Sequence, residues 1–143
     1  MAKQTPEGKV KKKLLDFLKS LGGDCFYYMP VQNGMGQTGI PDVMAIIKGV
    51  PFAFECKATP KQQPTVLQAY ALDRIHKARG FAWVVDNESV DLAIFYAKEL
   101  SKAASNNGTY GDMEDIDALK EHEHAKVLYR WKDKLEPVEF DGE

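Results

Sequence analysis

The chain has 143 residues, 44% hydrophobic and 28% charged, which is enough apolar sequence for the core of one domain. It contains no run of about 18 apolar residues, and its basic amino terminus is not followed by an apolar stretch. We therefore expect neither a membrane span nor a secretory signal, and a cytoplasmic protein without a membrane partner.

The formal net charge of −2 is distributed unevenly along the chain. Residues 1–98 carry 13 Lys/Arg and 9 Asp/Glu, whereas residues 99–143 carry 6 and 12. A basic body with an acidic tail is typical of a protein that binds a polyanion, although accidental asymmetry gives the same numbers. Cys25 and Cys56 lie in apolar stretches without metal-ligand spacing, so we expect free thiols.

The first predicted element is an amphipathic helix that begins after Thr5 and ends at a Gly-Gly pair. Thr5 is a suitable N-cap, and proline fits the first helical position. Apolar residues then recur at helical spacing as far as Leu21. The opposite face either contacts phosphates or is only solvated, and its lysines are Lys9, Lys11, Lys12, Lys13 and Lys19. The candidates selected for DNA contacts are Lys9, Lys12 and Lys13.

A short strand over residues 25–29 and a polar loop over residues 30–39 follow. The loop contains three glycines and no charged residue, and it is longer than a plain connection requires. We interpret it as a functional loop whose amide side chains donate hydrogen bonds to a nucleic-acid backbone, the alternative being a plain connector. The candidate donors are Gln32, Asn33 and Gln37.

The centre of the chain has the pattern of a β-hairpin with charged residues at its open end. Two apolar runs flank a Lys-Gly turn signal; Asp42 precedes the first run, and Glu55 and Lys57 end the second. A two-residue turn places Asp42 opposite Glu55. Because Pro51 cannot donate to a strand ladder, a wider turn that pairs Asp42 with Lys57 is also open.

Two carboxylates at one end of a hairpin repel each other, so this arrangement predicts a divalent cation. Asp42, Glu55 and the backbone carbonyl of Cys56 form a set of oxygen ligands that suits Mg²⁺, with Mn²⁺ as a substitute. Lys57 shares a strand face with Glu55, whereas the Cys56 side chain points to the opposite, core-facing side. The lysine either assists metal-dependent phosphodiester hydrolysis or only offsets the two carboxylates.

A helix, a buried strand and a further helix complete the predicted core. The helix covers about residues 65–79, and the apolar residues predicted to face the sheet are Leu67, Tyr70, Ala71, Ile75 and Ala78. Gln68, near the start of this helix, either reaches the carboxylates or is solvated. The strand over residues 81–85 is apolar throughout, so we expect it to be buried and parallel to the strand carrying Cys56. The last helix covers about residues 90–104.

The predicted domain covers residues 1–104, and residues 105–143 form an acidic linker and a C-terminal extension. The extension fits an amphipathic helix that docks on the body or on a partner, although its KVLYRW segment fits a strand equally well. The predicted fold class is α/β, with a mixed β-sheet flanked by helices in the order α-β-β-β-α-β-α.

The motif at the hairpin resembles that of the PD-(D/E)XK nucleases. It consists of a proline-aspartate pair followed by acid-x-lysine, carried here by Pro41, Asp42, Glu55, Cys56 and Lys57. A glutamate on the preceding helix (Glu7) and a glutamine on the following one (Gln68) extend the match. More closely, the chain resembles the VRR-NUC branch, which includes stand-alone nucleases of viruses and phages related to Holliday-junction resolvases. The resemblance covers about residues 5–98 and implies a restriction-endonuclease-like core.

The resemblance also implies a role for each matching residue. Asp42, Glu55 and the Cys56 carbonyl would bind the metal, and Glu7 would complete or extend the metal shell. Lys57 would assist catalysis, with Gln68 at the rim of the site. Without the resemblance, Glu7 would only complement the helix dipole. The cysteine between the acid and the lysine departs from the commoner aliphatic residue.

The implied function is that of a divalent-metal-dependent endonuclease that hydrolyses DNA and selects branched structures such as Holliday junctions. Relatives of this kind are commonly homodimers, because symmetric cutting of two strands requires two sites. If the chain is viral, the implied location is the host cytoplasm. The alternative is a catalytically inactive nucleic-acid-binding module of a larger complex.

Overall fold

The computed structural model describes residues 4–31, 39–107 and 123–135. The helices in these ranges are α1 (Pro6–Ser20), α2 (Val66–Lys77) and α3 (Val90–Asn107), with one short 3₁₀ helix at Gly22–Asp24 and a longer one at Glu123–Lys134. The strands are β1 (Cys25–Tyr28), β2 (Val43–Ile47), β3 (Val50–Cys56) and β4 (Phe81–Val85). This confirms the predicted order of elements. No helix in the described ranges is long and apolar enough to cross a membrane.

The four strands form one mixed sheet in the order β1-β2-β3-β4. β1 pairs with β2 and β2 with β3 in antiparallel fashion, whereas β4 runs parallel to β3 after the crossover through α2. The apolar run Phe81–Val85 is buried throughout, as its composition predicts. α1 and α3 contact each other and pack on the sheet, and α2 packs on β3 and β4. The parallel strand that the sequence predicts is therefore confirmed.

The β2–β3 hairpin has the two-residue turn of the first alternative. Val43 pairs with Phe54 and Ile47 with Val50, and both turn residues, Lys48 and Gly49, have positive φ angles of 49° and 87°. Pro51 lies one step from the turn, opposite Ile46, where an antiparallel pair exchanges no hydrogen bonds. Since pairing with β4 begins only at Phe52, no ladder bond requires the missing N–H. The alternative prediction, a wider turn that pairs Asp42 with Lys57, is therefore wrong.

Helix α2 buries a different face from the predicted one. Ala69 and Leu72 are fully buried, whereas Leu67 is 56% and Tyr70 48% exposed. The prediction that Leu67 and Tyr70 face the sheet was wrong. Apolar residues occur on more than one side of this helix, so spacing alone did not identify the side that packs.

The described part of the C-terminal extension packs against β4 and α2. It is the 3₁₀ helix Glu123–Lys134, which resolves the choice between helix and strand. Trp131 and Leu128 are fully buried in the main hydrophobic core, and the Trp131 indole N–H donates a 2.8 Å hydrogen bond to the carbonyl of Ala82 in β4. β4 is the last strand in the sheet order, so this segment covers its outer edge.

Candidate active site

The candidate site lies at the end of the sheet where β2 begins and β3 ends. Gly39 leads the chain into β2 with a φ angle of 79°. A Cβ atom on Gly39 would lie 2.6 Å from the backbone carbonyl carbon of Leu67, so only glycine allows the chain to pass this close to the first turn of α2. This contact fixes Asp42, three residues later, relative to α2.

Asp42 completes the hydrogen bonding at the end of β3. Its Oδ2 atom accepts a 2.9 Å hydrogen bond from the backbone N–H of Cys56, on the side of β3 where β2 has already ended. The N–H and the carbonyl of one strand residue point to the same side of the strand, so the Cys56 carbonyl also points toward Asp42 and the start of β2. Continuing the observed register places Asp42 opposite Glu55. The two carboxylates and the carbonyl therefore lie at the same end of the sheet, where β2 begins and β3 ends.

Glu55 is a buried acid, with 2% of its surface exposed. Its Oε1 atom has no hydrogen-bond partner in the described part of the chain, and its Oε2 atom lies 3.5 Å from the Lys57 ammonium. Burial, followed by the charge of Asp42, raises the pKa of Glu55 to about 8, and Lys57 opposes this only in part. In the absence of a cation, Glu55 thus holds a proton at neutral pH.

The sequence pattern of the hairpin predicts that only one face of β3 packs on the core and that Glu55 lies on the other, charged face. The burial of Glu55 differs from this prediction. β3 is buried on both faces because α2 covers the side that carries Glu55.

Gln68 of α2 holds the Lys57 side chain. Lys57 Nζ donates a 3.1 Å hydrogen bond to Gln68 Oε1, which also accepts a 2.9 Å bond from the Thr65 N–H. The Thr65 hydroxyl in turn accepts from the Gln68 N–H at 3.1 Å, so the two residues form a capping box at the start of α2. The structure places Gln68 in contact with the site, and the ammonium of Lys57 lies between Glu55 and Gln68.

Glu7 and Lys11 of α1 lie near the other side of β3. The pKa of the buried Cys56 thiol is raised, chiefly by burial and then by the charges of Asp42 and Glu55; Lys11 lowers it and Glu7 raises it further. Both α1 residues are therefore within electrostatic reach of the end of β3. Lys11 was predicted only as one of the lysines on the polar face of α1, and its position one turn after Glu7 is a sequence signal that could have placed it beside that residue.

Few of the described side chains at this end of the sheet could coordinate a divalent metal ion. In the ranges that the structure describes, no group of three or more His, Cys, Asp or Glu residues could hold a metal ion, so Glu7 is not joined to Asp42 and Glu55. Its role in the metal shell stays a prediction. Mg²⁺ is commonly held by one or two carboxylates, with waters and substrate phosphates in the other positions. The paired carboxylates and the Cys56 carbonyl fit such an ion, as does the Glu55 Oε1 atom, which has no hydrogen-bond partner among the residues that the structure describes.

The predicted DNA-contacting residues are only partly described. Lys9 is exposed on α1. Lys12 and Lys13 form surface ion pairs of 2.7 Å with Asp16 and Asp91, and their side chains are 61% and 55% exposed. The loop residues lie outside the described ranges, namely Gln32, Asn33 and Gln37.

Comparison with known proteins gives one structural similarity. No protein-family model matches the chain, and no curated protein matches it. A solved structure described as a VRR_NUC domain is similar to it, with 22% sequence identity and a TM-score of 0.49, over 83% of this chain and 98% of that chain.

Proposed function

We propose that this protein is a divalent-metal-dependent nuclease that hydrolyses DNA phosphodiester bonds. The observation that carries the proposal is the pairing of the partly buried Asp42 with the buried Glu55, whose Oε1 atom has no hydrogen-bond partner among the described residues. Burying two adjacent carboxylates is unfavourable unless a proton or a cation compensates them. When both acids are ionised, Lys57 offsets only one of the two charges, and a divalent cation would compensate the other.

Each residue of the site is proposed to have a separate role in hydrolysis. Asp42, Glu55 and the Cys56 carbonyl would hold Mg²⁺ or Mn²⁺, and Glu55 would give up its proton on binding. When bound, the ion would neutralise charge on the scissile phosphate and lower the pKa of a water molecule. Lys57, oriented by Gln68, would direct the attacking water or stabilise the charge that develops on the phosphoryl oxygens.

DNA binding is proposed to use the lysines of α1 and the amides of the loop before β2. The exposed Lys9, Lys12 and Lys13 support this proposal, together with Lys11 near the end of β3; the proposed loop contacts are Gln32, Asn33 and Gln37. Changing one of these lysines to glutamine should weaken binding to every DNA to the same extent. It should also reduce the slope of log affinity against log salt by about 1.

We further propose that the substrate is branched DNA and that the protein acts as a homodimer, as the resemblance to resolvase-like nucleases implies. An exposed apolar surface on the sheet supports a dimer: Phe26 is 65%, Tyr28 51% and Ile46 49% exposed, and β1 is an edge strand. Light scattering should show a dimer that Phe26→Ser together with Tyr28→Ser converts to a monomer. A monomeric wild type would contradict this part of the proposal.

The nuclease proposal is tested by incubating the protein with linear, flap and four-way-junction DNAs in Mg²⁺, in Mn²⁺ and in a chelator. Cleavage should require the metal, and Asp42→Asn, Glu55→Gln and Lys57→Ala should each abolish it while the fold is retained. Asp24→Asn, at an exposed acid, is the matched control and should cleave like wild type. Mn²⁺ binding without turnover on any DNA would instead favour the inactive binding module.

A further inference from the structure

We propose that Arg130, in the C-terminal 3₁₀ helix, is a positioning residue for the loop that follows Lys57. This loop, residues 58–65, joins the strand that carries Glu55 to the helix that carries Gln68. The inference rests on the proposed nuclease function. It goes beyond that function by giving the C-terminal extension, which lies outside the matched motif, a part in the reaction.

Arg130 ties three segments of the chain together. Its Nη1 atom forms an ion pair with Asp86 at the end of β4. Its Nη2 atom donates to the carbonyl of Gln62 at 2.6 Å and, more weakly, to that of Thr59 at 3.4 Å. The side chains of Arg130 and Asp86 are only 12% and 3% exposed, so competition from water is limited.

The contacts of Arg130 continue to the residue beside Lys57. The Gln62 N–H donates to the carbonyl of Thr59 at 3.1 Å, which closes a turn whose two ends Arg130 holds. The Gln62 side chain accepts a 2.8 Å hydrogen bond from the N–H of Ala58. Ala58 directly follows Lys57. Arg130 is therefore connected to Lys57 through the turn over residues 59–62 and the hydrogen bond from Ala58 to the Gln62 side chain.

The other end of the Arg130 contact is rigidly held. Asp86 Oδ1 accepts from the N–H groups of Glu88 at 2.8 Å and Ser89 at 3.0 Å, in the turn that begins α3. The residue next to Arg130, Trp131, is fully buried and bonded to Ala82 of β4. The guanidinium therefore holds the loop against fixed elements, and its loss should let Lys57 and Gln68 shift.

An ion pair with Asp86 alone would require only a positive charge. The planar guanidinium can donate to a carboxylate and to carbonyls at once, whereas a lysine ammonium is a point charge on a flexible stem. Arg130→Lys should therefore keep the pairing with Asp86, and with it the fold, while the hold on Gln62 is lost. This variant separates positioning from stability.

The test compares Arg130→Gln and Arg130→Lys with wild type in the full chain. Lys126→Gln, an exposed lysine of the same 3₁₀ helix, is the matched control. Cleavage in Mn²⁺ is measured below the unfolding temperature of each variant, and the exchange of the Ala58 and Gln62 amides is followed by NMR. We expect kcat to fall about ten- to a hundred-fold in both Arg130 variants, with KM nearly unchanged. The two loop amides should exchange faster while those of β2 do not.

A fully folded Arg130→Gln protein with wild-type kcat and wild-type exchange at Ala58 and Gln62 would overturn the inference. So would a loss of activity that only follows the unfolded fraction. If wild type cleaves no DNA, the proposed function fails, but amide exchange still decides the positioning role. Unchanged exchange in both Arg130 variants would then refute it, and faster exchange confined to the loop would support it.

Discussion

Asp42 accepts a 2.9 Å hydrogen bond from the backbone N–H of Cys56, at the position across the hairpin from Glu55. One carboxylate thus completes the end of the β-ladder, and its charge adds to the effect of burial, which is the main cause of the raised pKa of Glu55. A neutral acceptor would satisfy the Cys56 N–H without this repulsion. A negative charge at this position is what the proposed cation site requires.

The buried Glu55 should make stability depend on pH. Because its pKa is raised to about 8, the native state keeps a proton that the unfolded chain loses above its ordinary pKa of 4.5. The associated stability is complete below pH 4.5 and is lost as the pH rises through 8. Between pH 5 and pH 9, the unfolding free energy should therefore fall more in wild type than in Glu55→Gln, by about 1 to 4 kcal/mol. Urea denaturation without metal measures both changes, and equal changes would contradict the prediction.

Metal binding should displace the proton from Glu55. Calorimetric titration with Mn²⁺ near pH 7, in two buffers of different ionisation enthalpy, should show release of about one proton per ion. Affinity should rise as the pH approaches 8, where Glu55 ionises. Asp24→Asn should behave like wild type, whereas Asp42→Asn should bind more weakly because a ligand is lost. Binding without proton release would mean that Glu55 is not a ligand.

Gly39 should tolerate no side chain. Gly39→Ala would combine a positive φ angle with a Cβ contact of 2.6 Å to the Leu67 backbone, and should lower the unfolding free energy by roughly 2–4 kcal/mol. Gly23→Ala is the control, since nothing lies within 4 Å of its Cβ position, and it should change stability by less than about 0.5 kcal/mol. Thermal and urea unfolding of both variants compare the two positions. Equal effects would show that the close approach of the chain to α2 is not required.

Gln68 should contribute separately to stability and to cleavage. Thr65→Ala removes the hydroxyl of the capping box and should cost about 1 kcal/mol of stability with little effect on kcat. Gln68→Ala should have a similar cost and should also lower kcat about ten-fold, because Lys57 loses its acceptor. Steady-state cleavage kinetics beside urea denaturation separates the two effects. Equal kcat values in the two variants would show that Gln68 acts only as a cap.

The hairpin could be predicted from sequence because its signals are local. The two apolar runs and the Lys-Gly turn signal predict the hairpin, and both possible registers keep Asp42, Glu55 and Lys57 together. The structure decides between them and places Asp42 opposite Glu55. The burial of Glu55 could not be predicted in this way, because the pattern of one strand does not show that α2 covers its second face. The exposed face of α2 was misassigned because its apolar residues do not follow a single stripe.

The docking of the C-terminal segment depends on contacts between residues far apart in the chain. Arg130 binds Asp86 and the Gln62 carbonyl, and Trp131 binds the Ala82 carbonyl. Local periodicity indicates that this segment has an apolar side but not which surface receives it. Such contacts become visible only once β4 and the loop after β3 are placed in space.

Single-turnover cleavage of labelled DNA in Mn²⁺ tests the central claim, that Asp42 and Glu55 hold a catalytic cation, most directly. Wild type and Asp24→Asn should cleave at the same rate, and rising chelator concentration should stop both. Asp42→Asn and Glu55→Gln should be folded and should cleave at least about a hundred-fold more slowly. Metal-independent cleavage, or wild-type rates in either site variant, would contradict the account.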